Sequence, residues 1–294
     1  MKNKYADNIP TKQSFKEKFL ATPPGPAREE LIYQAAIRQP LPKLVPITVK
    51  APNGATLTYK VLPDYLMVHG LRVPMSGQTA QRIANYFGMH LPTAKMSKQI
   101  WNAADAKIKP TPMSGGANIG GKWYSAEEVV NHKINSSDTS VAFNERINQE
   151  ASKYRNPKLM AGHMKDIVAP EHEPDKLGLY GWYDEKGNPI QGGNGVTPHD
   201  TKQHAEYAAG TRLVSDKVII TTPDGKKIPI SMSDLAKPEY KQYANIIYNK
   251  PPAQPVKYKT EQTVKTDTVK SNKKPNSDLN EKINQFLEGI SKMF

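Results

Sequence analysis

Val45 to Val61, VPITVKAPNGATLTYKV, is the stretch that decides the fold class. Ile47 and Val49 alternate with polar residues, and so do Leu57, Tyr59 and Val61. A period of two marks strands with one covered face. Between them Pro52-Asn53-Gly54 supplies a turn, because proline presets one backbone angle and glycine tolerates the left-handed one. The pattern predicts a β-hairpin. The apolar run Tyr65-Leu66-Met67-Val68 carries the β region on to about Val73.

On either side the period becomes helical. Ser76 reads as an N-cap for a helix bearing Ala80, Ile83, Ala84 and Phe87, with Gly88 as its stop. Thr93 repeats the device ahead of Met96, Ile100, Trp101 and Ala104. Upstream, Pro26 suits the first helical position, and Glu29 and Glu30 face the positive end of the dipole. Leu31, Ala35 and Ala36 form the apolar stripe over 27–38, ended by Pro40 and Pro42, and Phe15, Phe19 and Leu20 make a single helical turn before it. Further on, Ser125 caps a predicted helix, and Phe143, Ile147 and Ala151 mark another. Residues 218–220 and 228–230 flank Pro223-Asp224-Gly225 as a second hairpin, and Asp234 caps a turn carrying Tyr240, Tyr243 and Ile246. Strands followed by helices argue for an α+β fold, a mixed or antiparallel sheet with packed helices.

Composition divides the 294 residues. Residues 1–22 read as a flexible segment and 23–248 as one globular domain. Residues 249–277, rich in Lys, Thr and Pro, read as a disordered basic linker. In 278–294, Leu279, Ile283, Phe286, Leu287, Ile290 and Phe294 recur at spacings of three and four, the mark of an amphipathic helix able to dock on a protein partner. There is no cysteine, which excludes disulfides, thiolate metal sites and cysteine nucleophiles. No apolar run is long enough to span a membrane, and MKNKYADNIPTKQ is no secretory signal. The expected location is therefore the cytoplasm, or delivery by a virion or secretion machine. The formal charge of +13, from 41 Lys+Arg against 28 Asp+Glu, suits an anionic polymer. Nucleic acid is a further partner of that charge, though no nucleic-acid-binding motif accompanies it.

The candidate site lies in residues 161–214, AGHMKDIVAPEHEPDKLGLYGWYDEKGNPIQGGNGVTPHDTKQHAEYAAGTRLV, which hold four of the seven histidines. His199 and His204 in a loop, with His163 or Asp166 as a third ligand, would leave an open position on a zinc ion. Such a metal would make a bound water nucleophilic. The metal-free version uses His163 as general base, oriented by Asp166, with His204 or Lys165 opposite the developing negative charge. Arg212 would clamp a carboxylate. Tyr180, Trp182, Tyr183 and Tyr207, with Lys165, are the candidate substrate contacts. Tyr180 and Trp182 are expected to point away from Gly181 and Tyr183, as on a regular strand, leaving Tyr183 to stack on a sugar or peptide. Each group also has a bland role: a strand-edge His–Asp bond, a surface ion pair, core aromatics. The glycine runs at 115–121 and 192–195 lack a phosphate-loop pattern and read as connectors or flaps.

Several blocks resemble an uncharacterised bacterial protein family: Pro24 to Glu29 (PGPARE), Val61 to Leu66 (VLPDYL), MSGQTAQRIANYF from Met75, Leu91-Pro92-Thr93, Gly162-His163 with Lys165-Asp166, Tyr180-Gly181-Trp182, and Tyr207 with Gly210 and Arg212-Leu213-Val214. The resemblance covers about 23–230 and implies one co-inherited unit without assigning chemistry. Histidine followed by Gly210-Thr211-Arg212-Leu213 also resembles the signature of the L,D-transpeptidases of the cell wall, but the cysteine that family needs would fall near Thr211. The leading functional expectation is a hydrolase of amide bonds in peptides or cell-wall peptides, with a His-centred site that works either with zinc or without a metal. The competing one is a non-enzymatic structural or cargo protein of a phage-like or secretion particle that docks through 278–294.

Overall fold

The computed structural model describes residues 14–113, 117–119, 122–124, 136–169, 177–192, 197–198 and 205–249. Helices α1 (Phe15–Ala21), α2 (Pro26–Ile37), α3 (Gly77–Tyr86), α4 (Ala94–Ala103), α5 (Ser136–Ala151) and α6 (Lys241–Ile247) accompany two main sheets. The chain is α+β, as its periodicities predict. The Ser125 helix, the 192–195 glycines apart from Gly192, His172, the 249–277 linker beyond its first residue and the 278–294 helix fall outside the described residues.

The first sheet is built on the predicted hairpin, β1 (Val45–Lys50) and β2 (Thr56–Val61), in antiparallel register with Ile47 opposite Tyr59. Leu57, Tyr59 and Val61, two apart, put one face of β2 into the core. A minor hairpin follows, β3 (Met67–Val68) and β4 (Leu71–Arg72), and then β5 (Met89–His90). Short pairs involve β6 (Ala106–Lys107), β7 (Ala117–Ile119), β8 (Lys122–Tyr124) and β9 (Met160–Ala161); β6 runs parallel to β9. The second sheet contains β10 (Lys165–Val168), β11 (Gly178–Tyr183), β12 (Pro189–Gln191), β13 (Thr197–Pro198) and β14 (Ala209–Gly210). Finally β15 (Val214–Ser215) and β16 (Lys217–Thr221) follow each other along the free edge of β2, with β5 outside β15 and β17 (Lys227–Ser231) outside β16.

Capping sets the helix starts. The Thr93 hydroxyl accepts from Met96 N at 3.1 Å and donates to the Ile247 carbonyl, tying α4 to α6 across the first sheet's core. Ser76 caps α3 and also donates to Glu29, joining α3 to α2. The expected boundary at residue 23 moves back: Ser14 and Glu17 form a capping box for α1, and Phe19 is buried with the Arg28 guanidinium 5.0 Å above its ring. The last capping box belongs to Ser231, with Asp234 three residues on, where Asp234 alone was the expected cap.

The two sheets are joined at a crossing of the chain. Only Thr211-Arg212-Leu213 separates β14 of the second sheet from β15 of the first. Beside it runs the exit from β2: Leu62 N donates to Leu213 O, Leu66 N to Thr211 O, and Met160 N to Pro63 O. Three segments distant in sequence therefore lie side by side at this crossing.

Candidate functional site

The crossing is lined with charge. β10 is buried along its whole length, so Lys165 and Asp166 enter the interior beside Ile167 and Val168. Gly162 precedes it with φ 98°, and an added Cβ there would lie 2.6 Å from the Ile108 carbonyl oxygen. Glycine is thus required where the chain turns His163 inward. The blocks VLPDYL, GHMKD and GTRLV converge here, supplying Asp64 and Tyr65, His163 and Asp166, and Arg212.

His163 and Arg212 are 0% exposed and Asp166 4%. The His163 Nε2–H donates to Asp64 Oδ1 at 2.9 Å. The proton is placed on Nε2 because the ionised Asp64 carboxylate can only accept; burial holds the His163 pKa below the ordinary histidine value despite that carboxylate, which keeps the ring neutral. Asp64 also accepts from Tyr65 N at 2.6 Å and from the Arg72 Nε and Nη2 groups at 3.0 and 2.5 Å. Burial alone would raise the Asp64 pKa, but His163 and Arg72 hold it below the usual carboxylate range. The other end of the Arg72 guanidinium donates to Asn144 and Asn148 Oδ1, four residues apart on one face of α5.

Tyr65 stands edge-on to His163, ring centroids 4.9 Å apart, and its hydroxyl donates to Met164 O. Arg212 Cζ lies 4.2 Å from the Tyr65 ring centroid, while its Nη1 and Nη2 donate to the carbonyls of Leu62 and Met160 at 2.9 and 2.8 Å. Asp166 is the third charge. Its Oδ2 accepts from the Ser97 hydroxyl at 2.5 Å, and Ser97 in turn lies 2.9 Å from the Tyr183 hydroxyl. Its Oδ1 is 3.8 Å from Arg212 Nε, beyond hydrogen-bond reach. Burial raises the Asp166 carboxyl pKa; Arg212 and the Ser97 hydroxyl oppose that rise.

Several expectations need correction. Asp166 does not orient His163: Asp64 does, because the turn at Gly162 aims the ring toward the β2 exit while Asp166 faces α4. Arg212 is neither a surface ion pair nor an open carboxylate clamp; it is buried on two carbonyls and a ring. Lys165 pairs with Glu206 and lies 4.8 Å from the Trp182 ring centroid. The regular alternation expected across Tyr180 to Tyr183 is broken. Gly181 (φ 99°) and Trp182 (φ 54°) adopt left-handed backbone, and Trp182 and Tyr183 are both buried. Trp182 donates its indole N–H to His163 O at 3.1 Å, and Tyr183 is held on Ser97, not offered to a sugar. Tyr180 stays half-buried, its ring 6.3 Å from that of Tyr183. The Tyr207 hydroxyl accepts from Met113 N, and its ring is edge-on to Phe143.

Of the expected metal ligands, His199 and His204 lie outside the described residues, and His163 and the alternative third ligand Asp166 lie within them. Among the described residues no three His, Asp or Glu side chains gather as metal ligands. Asp64, Arg72 and Ser97 were not expected at the site. Ser97 carried a signal: four after Thr93 and three before Ile100, it puts a hydroxyl on the apolar face of α4. Asp64 sat in a quoted block, and nothing in the sequence marked it as the histidine's partner.

No family model, curated protein or solved structure matches the chain. Among the described residues no helix is long and apolar enough to cross a membrane.

Proposed function

We propose that the His163–Asp64–Arg72 and Asp166–Arg212 groups form a structural keystone, and that the protein is a non-enzymatic structural or cargo component. The observation that carries this reading is the complete burial of His163 and Arg212, with the His163 Nε2–H held by Asp64 and the Arg212 Nη groups by two backbone carbonyls. A general base must reach the proton that it removes, directly or through one water. The sequence of 278–294 supplies a docking element for a protein partner, and a phage-like or secretion particle is the assembly that this reading favours.

One observation favours the hydrolase instead. His163 Nδ1 has no hydrogen-bond partner among the described residues, and two carboxyls nearby are pushed in opposite directions, Asp64 down and Asp166 up. Divergent carboxyls beside a neutral imidazole are the raw material of acid–base catalysis. Amide cleavage of a peptide or cell-wall peptide, with an anionic polymer holding the basic protein near its substrate, is the reaction that it would serve. The two readings separate in one experiment. The full chain is incubated with peptidoglycan fragments and with a mixed peptide library, and new amines are labelled. The structural reading expects no release above a heat-treated control, with and without added zinc. Release that disappears in a folded His163→Gln variant would establish the hydrolase.

A further inference from the structure

Away from the crossing, α4 presents Trp101, half-exposed and approached by two ammonium groups. Lys98 Nζ is 4.6 Å from its ring centroid and Lys107 Nζ is 4.4 Å. Both gain from the ring's negative face, yet like charges beside one indole repel each other. Neither lysine makes an ion pair among the described residues. Asp184 acts on Lys98 only at longer range, and the Asn188 amides occupy its carboxylate. Lys98 donates to the Gly187 carbonyl, while the Trp101 indole N–H has no acceptor among the described residues.

The platform is held at both ends by backbone. At Gly187 a Cβ would stand 2.4 Å from Trp101 Cη2, and at Gly162 one would stand 3.4 Å from Nε1. Lys107 pairs with Ala161, the residue before Gly162, in the parallel β6–β9 ladder. Lys98 Nζ lies toward the Cη2 end, 2.9 Å from where a Gly187 Cβ would stand, and both ammonium groups lie within 4.6 Å of the ring centroid. Lys98 has a lowered pKa, chiefly from burial, with Lys107 contributing. A doubly charged anion would relieve that repulsion, and a single carboxylate only half of it.

We propose that Trp101, Lys107 and Lys98 form a surface site for a phosphate-class oxyanion, the indole N–H and Lys107 donating and Lys98 supplying the second charge. The site stands independently of the function proposed above. Its ligand is either free phosphate or a phosphodiester in an anionic polymer. The test follows the Trp101 indole resonance of the full, 15N-labelled chain, assigned through Trp101→Phe. Inorganic phosphate is titrated at pH 7.5 with ionic strength held by sodium chloride, and a short oligothymidylate is titrated in parallel. A saturable shift is expected, weakened about tenfold in Lys107→Gln, the scale of one charge-assisted bond. Tighter binding of the oligomer than of phosphate assigns the polymer as the source, and the reverse assigns the free ion. No saturable shift with either, or the same dissociation constant in Lys107→Gln, would overturn the site.

Discussion

Asp64 concentrates the energetics of the crossing at the residue scale. It accepts from His163, from Tyr65 N and from two nitrogens of the buried Arg72 guanidinium. Asp64→Ala would strand Arg72 as an uncompensated buried charge, and such a loss costs about 3–5 kcal/mol. Urea unfolding of the variant should show that decrease. His163 sets a pH dependence whose sign is determined by its lowered pKa. The unfolded ring binds its proton near pH 6.5 while the folded ring stays neutral, so the stabilisation is full above about 6.5 and is lost as pH falls toward the folded value. Asp166, with a raised pKa, works in the other direction: its contribution is full below its ordinary value of 3.8 and declines as pH rises through the folded value. Unfolding measured from pH 8 to pH 5 should show stability dropping, with a smaller drop in His163→Gln. Little of this was legible in the sequence. Asp64 and His163 are 99 residues apart, and nothing local distinguishes Asp64 from Asp166 as the imidazole's partner.

At the scale of elements, the hairpins and capped helices were readable because their causes are local: alternation, a turn at Asn53-Gly54, hydroxyls at Ser76 and Thr93. The left-handed pair Gly181–Trp182 in β11 was not, because it depends on what surrounds Trp182. A bulky residue at φ 54° costs of order 1–3 kcal/mol and persists only where contacts over-determine it. Here the indole N–H on His163 O and the Lys165 ammonium over the ring do so. Close approach governs β14 as well: a Cβ on Gly210 would lie 2.4 Å from the Tyr65 ring. Gly210→Ala should therefore destabilise by roughly 1–3 kcal/mol, the usual range for overpacking, measurable as a lower thermal midpoint. Ser97→Ala removes the donor to Asp166 and the partner of Tyr183, and should cost about 1–3 kcal/mol for the buried groups left unpaired.

On the scale of the whole molecule, Arg212 links the two sheets through the three residues that pass between them. It bonds Leu62 O at the end of the first sheet's central strand and Met160 O at the approach to the second. Arg212→Met would leave both carbonyls without that donor, so hydrogen exchange should quicken in β2 and β10 together, as one cooperative unit. Acceleration confined to one sheet would show that the crossing does not couple them. The α+β class could be read from the sequence; the meeting of Asp64 and Tyr65 with His163, Asp166 and Arg212 could not, because the candidate site was confined to 161–214. Nor could its burial, since a His and an Asp in one short motif look alike whether they face solvent or a guanidinium. The central claim, that His163 is a closed structural group, is tested most directly by NMR of its ring in the full chain. The account predicts a slowly exchanging Nε2–H signal and a Cε1 shift that titrates below the ordinary histidine value. A ring titrating near 6.5, its N–H lost to rapid exchange, would contradict it.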